Sequence, residues 1–179
     1  MPRSPLDAPD SGAQGGVMFE SMIAFSLTIA ALGAGLMTGV YFAFSGFIMR
    51  SFDLLGPARA TDAMNAINEV ILRSWFMVLF FGSTLLYAVL AAVTVFESDL
   101  AGRWLLFTAG LIYVVGMFGC TAVFNVPLNN RLARVGSDKS ARVATWKHYL
   151  VHWTRWNHLR GVCSLAILVM SIHYLANYA

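Results

Sequence analysis

Asparagines, tryptophans and one arginine gather at the facing ends of two long stretches that otherwise carry few hydrogen-bonding side chains. Asn125, Asn129 and Asn130 close one apolar run; Trp153, Trp156, Asn157 and Arg160 lead into the next, across a basic connector. A polar or ionisable side chain at membrane depth is costly to expose to lipid, so each one there needs a partner or a function. Helical spacing places Trp146, Tyr149, Trp153, Trp156 and Arg160 on one stripe, with Asn157 beside Trp153 and Arg160. Asn125 and Asn129 are four residues apart and stack on their own helix. Pro127 between them has no N–H to offer the Val123 carbonyl, which leaves a backbone acceptor beside the two amides. This pattern predicts a polar pocket where the third and fourth apolar segments meet, with Asn68 placed to close it.

Other chemistries find less support. His148 and His152 have the i, i+4 spacing of helical metal ligands, but they lie among Lys147 and Arg155 on a face away from the stripe. No HExxH motif or third ligand accompanies them. They read as a solvated basic face and are the weak metal alternative in the chain. No Ser-His-Asp set, phosphate-binding loop or haem-type CxxCH is present. The spans hold no acidic residue, which argues against a proton pump or a cation channel. Cys120 and Cys163 lie inside apolar segments and read as small hydrophobes.

The elements that must position the pocket follow from hydrophobic length. Hydrophobic residues make up 58% of the chain and charged residues 12%, against about 25% charged in an ordinary soluble domain. Four runs free of Asp, Glu, Lys and Arg stand out: Ser21–Met49 with 29 residues, Ser74–Phe96 with 23, Trp104–Asn130 with 27 and Gly161–Ala179 with 19. A helix needs about 20 apolar residues to cross a hydrocarbon core. The chain therefore reads as an all-α, four-helix transmembrane bundle, with spans near 21–49, 74–96, 104–130 and 156–177. The last helix is expected to start well upstream, near Ala141, on the membrane surface. Residues 1–18, rich in Pro, Gly, Ser and Asp, read as a disordered tail, and residues 19–179 as the membrane domain.

Between the first two spans, Ala60, Met64, Ile67 and Ile71 fall on one helical side and most charges fall elsewhere. This predicts a short interfacial helix. Trp104 and Trp146 read as interfacial anchors. Ala31, Gly35, Gly39 and Ala43 recur every fourth residue and form a small-residue face. That face suits close helix packing inside one bundle or between protomers, so a homo-oligomer is one reading of it. Ten of the twelve Lys and Arg lie in the connectors 50–73 and 131–160. The positive-inside rule puts both connectors in the cytoplasm and both termini outside, in a plasma (inner) membrane. The basic excess thus belongs to membrane orientation, and nucleic acid is not an expected partner.

The segments NVPLNNRL at 125–132, WTRWNHLR at 153–160 and AMNAIN at 63–68 resemble those of the anthrone oxygenase-like family of small four-span membrane proteins. Fungal members are associated with oxidising an anthrone to an anthraquinone. The resemblance implies a hydrophobic aromatic substrate beside the lipid bilayer and O₂ as oxidant. No cofactor is predicted, and a metal or haem stays open. In that reading Arg160, Asn157 and Asn125 carry the chemistry, and Asn129, Trp153, Asn68 and Trp156 bind substrate. Arg160 stabilises the anion formed by deprotonating the anthrone CH₂, the amides hold carbonyl and phenol oxygens, and Trp153 stacks on the rings. His152 is near in sequence but points away, so no general base stands out. The other readings are a noncatalytic membrane protein whose polar cluster binds lipid or a protein partner, and a transporter, for which internal repeats are lacking.

Overall fold

The computed structural model describes residues 11–179, and within them every regular element is helical. Helix α1 runs Ser11–Ala43, passes through a π-turn at Phe44–Ile48 and ends with Met49–Leu54. Helix α2 spans Pro57–Ile71 and α3 spans Trp75–Phe96. Helix α4 begins at Arg103–Leu111, continues through π-helical stretches at Ile112–Gly119 and Thr121–Asn125, and finishes with Val126–Ala133. Helix α5 is a single rod, Lys139–Asn177. Four of the five are long and apolar enough to cross a membrane: Gln14–Leu54, Trp75–Phe96, Arg103–Ala133 and Lys139–Asn177. The protein is an integral membrane four-helix bundle with one additional short helix.

Two boundaries differ from hydrophobic length alone. Residues 11–18 already belong to α1, whereas composition assigns them to a tail; residues 1–10 lie outside the described residues. Gly and Ser are weak helix formers in water, and here they extend a helix whose later turns are packed. At the other end, α5 starts at Lys139 because Asp138 caps it: its Oδ1 accepts from Ser140 Oγ and Ala141 N, each at 2.6 Å. Those two donors hold the Asp138 carboxyl below the usual carboxylate range.

The bundle buries two clusters. The larger joins Leu27, Ala30, Ala34 and Met37 of α1 to Tyr87 and Leu90 of α3, Leu106, Tyr113 and Met117 of α4, and Ile167 and Tyr174 of α5. Small residues let these helices close up. A Cβ at Gly110 would meet the Tyr87 carbonyl oxygen at 2.5 Å and Ala91 Cβ at 2.6 Å, so α3 and α4 touch backbone to side chain there. The α1 face that packs is Ala30 and Ala34, with Ala31 and Gly35 at its edge; a Cβ at Gly39 would meet nothing within 4 Å. The four-residue ladder is therefore only partly a packing face within the bundle.

The second cluster covers one end. Gly56, at φ 83°, turns the chain sharply and Pro57 opens α2. Helix α2 then presses Ala60 and Met64 onto Trp146, Tyr149 and Trp153 of α5, Met49 of α1 and Leu132 of α4. Trp146 is wholly buried and donates from Nε1 to Asp53 Oδ1 at 2.9 Å. Its place is thus under α2, not at the lipid interface expected from its position near a span end. Trp104 does face outward, with the Arg103 guanidinium 4.6 Å above its ring.

Candidate functional site

Between the two clusters, all five helices contribute to one cavity of about 130 Å³. Its walls are mostly apolar: Phe44, Met64, Ile67, Phe76, Met77 and Phe80. Into it converge Tyr41 of α1, Asn68 of α2, Thr121, Asn125 and Asn129 of α4, and Trp153, Asn157 and Arg160 of α5. Apolar walls with a few convergent polar groups are the usual make-up of a small-molecule site.

The buried stripe of α5 explains why these side chains meet. It runs through Trp146, Tyr149, Trp153, Asn157, Arg160, Ser164, Ile167, Ser171 and Tyr174, at a mean spacing close to that of a left-handed coiled seam. Trp156 also satisfies helical spacing from Trp153 and Arg160, but it turns to the flank and stacks on Phe124, centroids 3.7 Å apart and planes 8° off parallel. Of the seven residues singled out by the sequence, Asn68, Asn125, Asn129, Trp153, Asn157 and Arg160 share the cavity and Trp156 does not line it. His148 and His152 pair with one another off the stripe, ring centroids 4.2 Å apart. Among the described residues no group of three or more His, Cys, Asp or Glu is placed to hold a metal.

Arg160 is the electrostatic centre. It is 6% exposed, and among the described residues it has no carboxylate within salt-bridge distance and the one ion pair is Arg142 with Asp62. Its Nη2 donates to Asn157 Oδ1 at 2.9 Å and its Nη1 to Thr121 Oγ1 at 3.4 Å. The guanidinium lies over the Tyr41 ring at 4.5 Å and near the Trp153 ring at 5.4 Å. Aromatic faces and neutral acceptors offset part of the cost of burying that charge and do not neutralise it. A buried cation of this kind favours an anion or a developing negative charge beside it.

The hydrogen-bond inventory around the cavity is one-sided. Tyr41 OH, Asn68 Nδ2, Asn125 Nδ2, Trp153 Nε1 and Arg160 Nε are buried and have no hydrogen-bond partner among the described residues. Four of them can only donate, Tyr41 OH can donate or accept, and an unpaired buried donor costs about 1–3 kcal/mol. Other polar groups here are already engaged. Tyr149 OH donates to Asn129 Oδ1 at 2.8 Å. Asn157 Nδ2 donates both to the Tyr41 carbonyl, at 2.7 Å, and to Ser45 Oγ, at 2.6 Å. That carbonyl lies at the entry to the π-turn of α1, where the backbone pattern shifts from the i−4 to the i−5 acceptor and Met49 N–H reaches Phe44 O.

Tyr41, Thr121 and the Phe and Met walls were not among the residues that composition singles out. Tyr41 did carry a signal, since with Ser45 it is a main polar side chain on the later half of the first span. Thr121 carried none, because a threonine in an apolar helix ordinarily bonds its own backbone, as its Oγ1 also does here to Met117 O at 2.7 Å.

The family model described as anthrone oxygenase matches residues 74–170, more than half of the chain. The matched region holds α3, α4 and most of α5, and with them Asn125, Asn129, Trp153, Asn157 and Arg160. No curated protein and no solved structure matches the chain. The resemblance carried by the polar segments and the match across three helices lead to one conclusion: this chain belongs to the anthrone oxygenase family.

Proposed function

We propose that the cavity is the active site of an oxygenase that converts an anthrone-like aromatic ketone to its quinone with O₂. The observation that carries this reading is an uncompensated arginine, its own Nε unpartnered, with four further unpartnered polar groups on Tyr41, Asn68, Asn125 and Trp153 around it, inside walls of Phe, Met and Trp. Such a set suits a flat, apolar molecule whose oxygens carry negative charge.

An anthrone meets that description once its CH₂ loses a proton, because the charge delocalises onto the ketone oxygen. Arg160, Asn68 and Asn125 hold that oxygen and any phenol oxygens, and Trp153 lies along the rings. The anion then gives up electrons to O₂ as a carbon–oxygen bond forms. The resulting peroxide anion regains the first proton. The second C–H proton leaves with the distal oxygen as water, and the carbon becomes a carbonyl. One O₂ yields one quinone oxygen and one water, so the electrons balance within substrate and O₂. By the distribution of Lys and Arg, the cavity lies on the cytoplasmic side of a plasma (inner) membrane, with both chain termini outside.

The test is O₂ uptake and quinone formation by purified protein in lipid nanodiscs given a simple anthrone. Uptake above the spontaneous rate, one O₂ per quinone, is expected. Arg160→Gln is expected to lower kcat/KM by about 10²–10³-fold, the scale seen when an oxyanion donor is removed. Intact protein that gives only the spontaneous rate would sink the oxygenase and favour a role in binding.

A further inference from the structure

We infer that the cavity's ligand enters sideways from the bilayer, through a mouth between α3 and α4, with Met77 and Val126 as its two lips. The inference rests on the reading of the cavity as a site for an apolar aromatic molecule.

The mouth follows from how α3 and α4 are joined. They are pinned together at Gly110 against Tyr87 and Ala91, and remain in contact as far as the Phe80, Phe81 and Phe118 rings, whose centroids are 6.0 and 6.2 Å apart. Beyond Phe118 they part. Among the described residues, α3 makes no backbone approach to Thr121–Ala133 of α4, and α2 spans the gap instead. The two helices thus open like a V, and the cavity sits in its open end.

The surface around the gap is made for lipid. Leu72, which is 66% exposed, and Val126, which is 42% exposed, line the cavity and reach the outside of the bundle. Their exposed neighbours at the same level are Trp75, Val78, Phe81 and Val123. Val126 lies five residues before Arg131 and Met77 four residues after Arg73, about 7.5 and 6 Å of helix rise, which sets both lips inside the level of those two arginines. The water-facing end is closed. There Met64 of α2 lies on Trp153, Tyr149 and Trp146 in a cluster with almost no exposed surface. A molecule that partitions into lipid meets an open apolar mouth, and one arriving from water meets packed tryptophans.

The experiment uses the full chain in nanodiscs and 1,8-dihydroxyanthraquinone, a flat probe already at the quinone level, followed by quenching of tryptophan fluorescence. At constant aqueous probe, association should rise with the amount of probe dissolved in the bilayer. Val126→Trp, which narrows the mouth, should slow association and dissociation by about tenfold each; because Val126 also lines the cavity, the rates and not Kd are the readout. Met77→Ala should speed both. Rates that follow only the aqueous concentration and ignore both substitutions would overturn the lateral route while leaving the aromatic-site reading intact.

A second measurement is independent of probe binding. A nitroxide on Val126→Cys, with Cys120 and Cys163 replaced by Ala, should relax more readily with O₂ than with a water-soluble nickel chelate. Stronger relaxation by the chelate would overturn the lateral mouth by itself. A probe that fails to bind counts against the aromatic-site reading, and the nitroxide result then decides the position of the mouth.

Discussion

Arg160 and Asn157, three residues apart on α5, form a fixed pair in which the arginine Nη2 donates to the amide oxygen at 2.9 Å. Asn157 in turn places both amide protons on α1, at the Tyr41 carbonyl and the Ser45 hydroxyl. Its hydrogen-bonding capacity is largely used by the protein, unlike that of Asn68 and Asn125, whose Nδ2 groups are free. Asn157 is therefore a positioning residue: it aims Arg160 and ties α5 to the π-turn of α1.

Asn157→Leu should leave an Arg160 donor unpaired and remove both hydrogen bonds from α5 to α1, lowering stability by about 1–3 kcal/mol. Asn157→Asp keeps an acceptor for Arg160, loses both donors to α1 and places a negative charge against the guanidinium. In the wild type the phenol of bound dihydroxyanthraquinone should ionise at lower pH than in lipid alone. In Asn157→Asp that shift should shrink. A visible-absorbance titration of the bound probe measures it, and an unchanged shift would contradict the assigned role.

Arg160→Lys keeps a positive charge but loses the planar group that lies over Tyr41 and bonds Asn157 and Thr121 together. Turnover of an anthrone should fall by about tenfold or more, on the scale of a transition-state donor made imprecise. Steady-state O₂ uptake reads this. Recovery of wild-type turnover in the lysine variant would mean that charge alone suffices.

Gly110→Ala should be among the most damaging single-methyl changes in the bundle. Its Cβ would press on the Tyr87 carbonyl and on Ala91, and overpacking of this kind costs about 1–3 kcal/mol. Gly35→Ala is the control, since its Cβ would meet only Leu168, at 3.7 Å; a change within about 0.5 kcal/mol is expected there. Unfolding in mixed micelles compares the two. Equal destabilisation would mean that α3 and α4 are not pinned at Gly110.

Trp146→Phe removes the indole donor to Asp53 and leaves a void in the cluster under α2. A loss of about 1–2 kcal/mol is expected from the hydrogen bond, together with faster amide exchange along α2. An interfacial tryptophan would show neither effect, so exchange rates distinguish the two placements.

The proposed orientation can be checked with two single cysteines, each introduced with Cys120 and Cys163 replaced by Ala. Ser137→Cys, between α4 and α5, should react with a membrane-impermeant maleimide only after the cells are opened, and Ser98→Cys, between α3 and α4, should react in intact cells. The reverse pattern would turn the protein over in the membrane and move the cavity to the outer side.

What the sequence by itself determined is what depends on local composition. Charge-free length marked the four spans, alternating faces marked α2, and the cost of polar groups at membrane depth marked Asn68, Asn125, Asn129, Trp153, Asn157 and Arg160. Tertiary structure decided which of several neighbouring residues face inward, because helix contacts and π-turns set the register, and these depend on partners far away in the chain. Trp156 stacks on Phe124 because Asn157 takes the inward position against α1. Trp146 is buried because α2 folds over it, and the first helix extends back to Ser11 where composition suggested a tail. Tyr41 joins the site because the π-turn presents its carbonyl to Asn157 while Arg160 lies on its ring. Hydrophobic length is a property of one segment, whereas a donor-rich cavity is a property of five helices meeting.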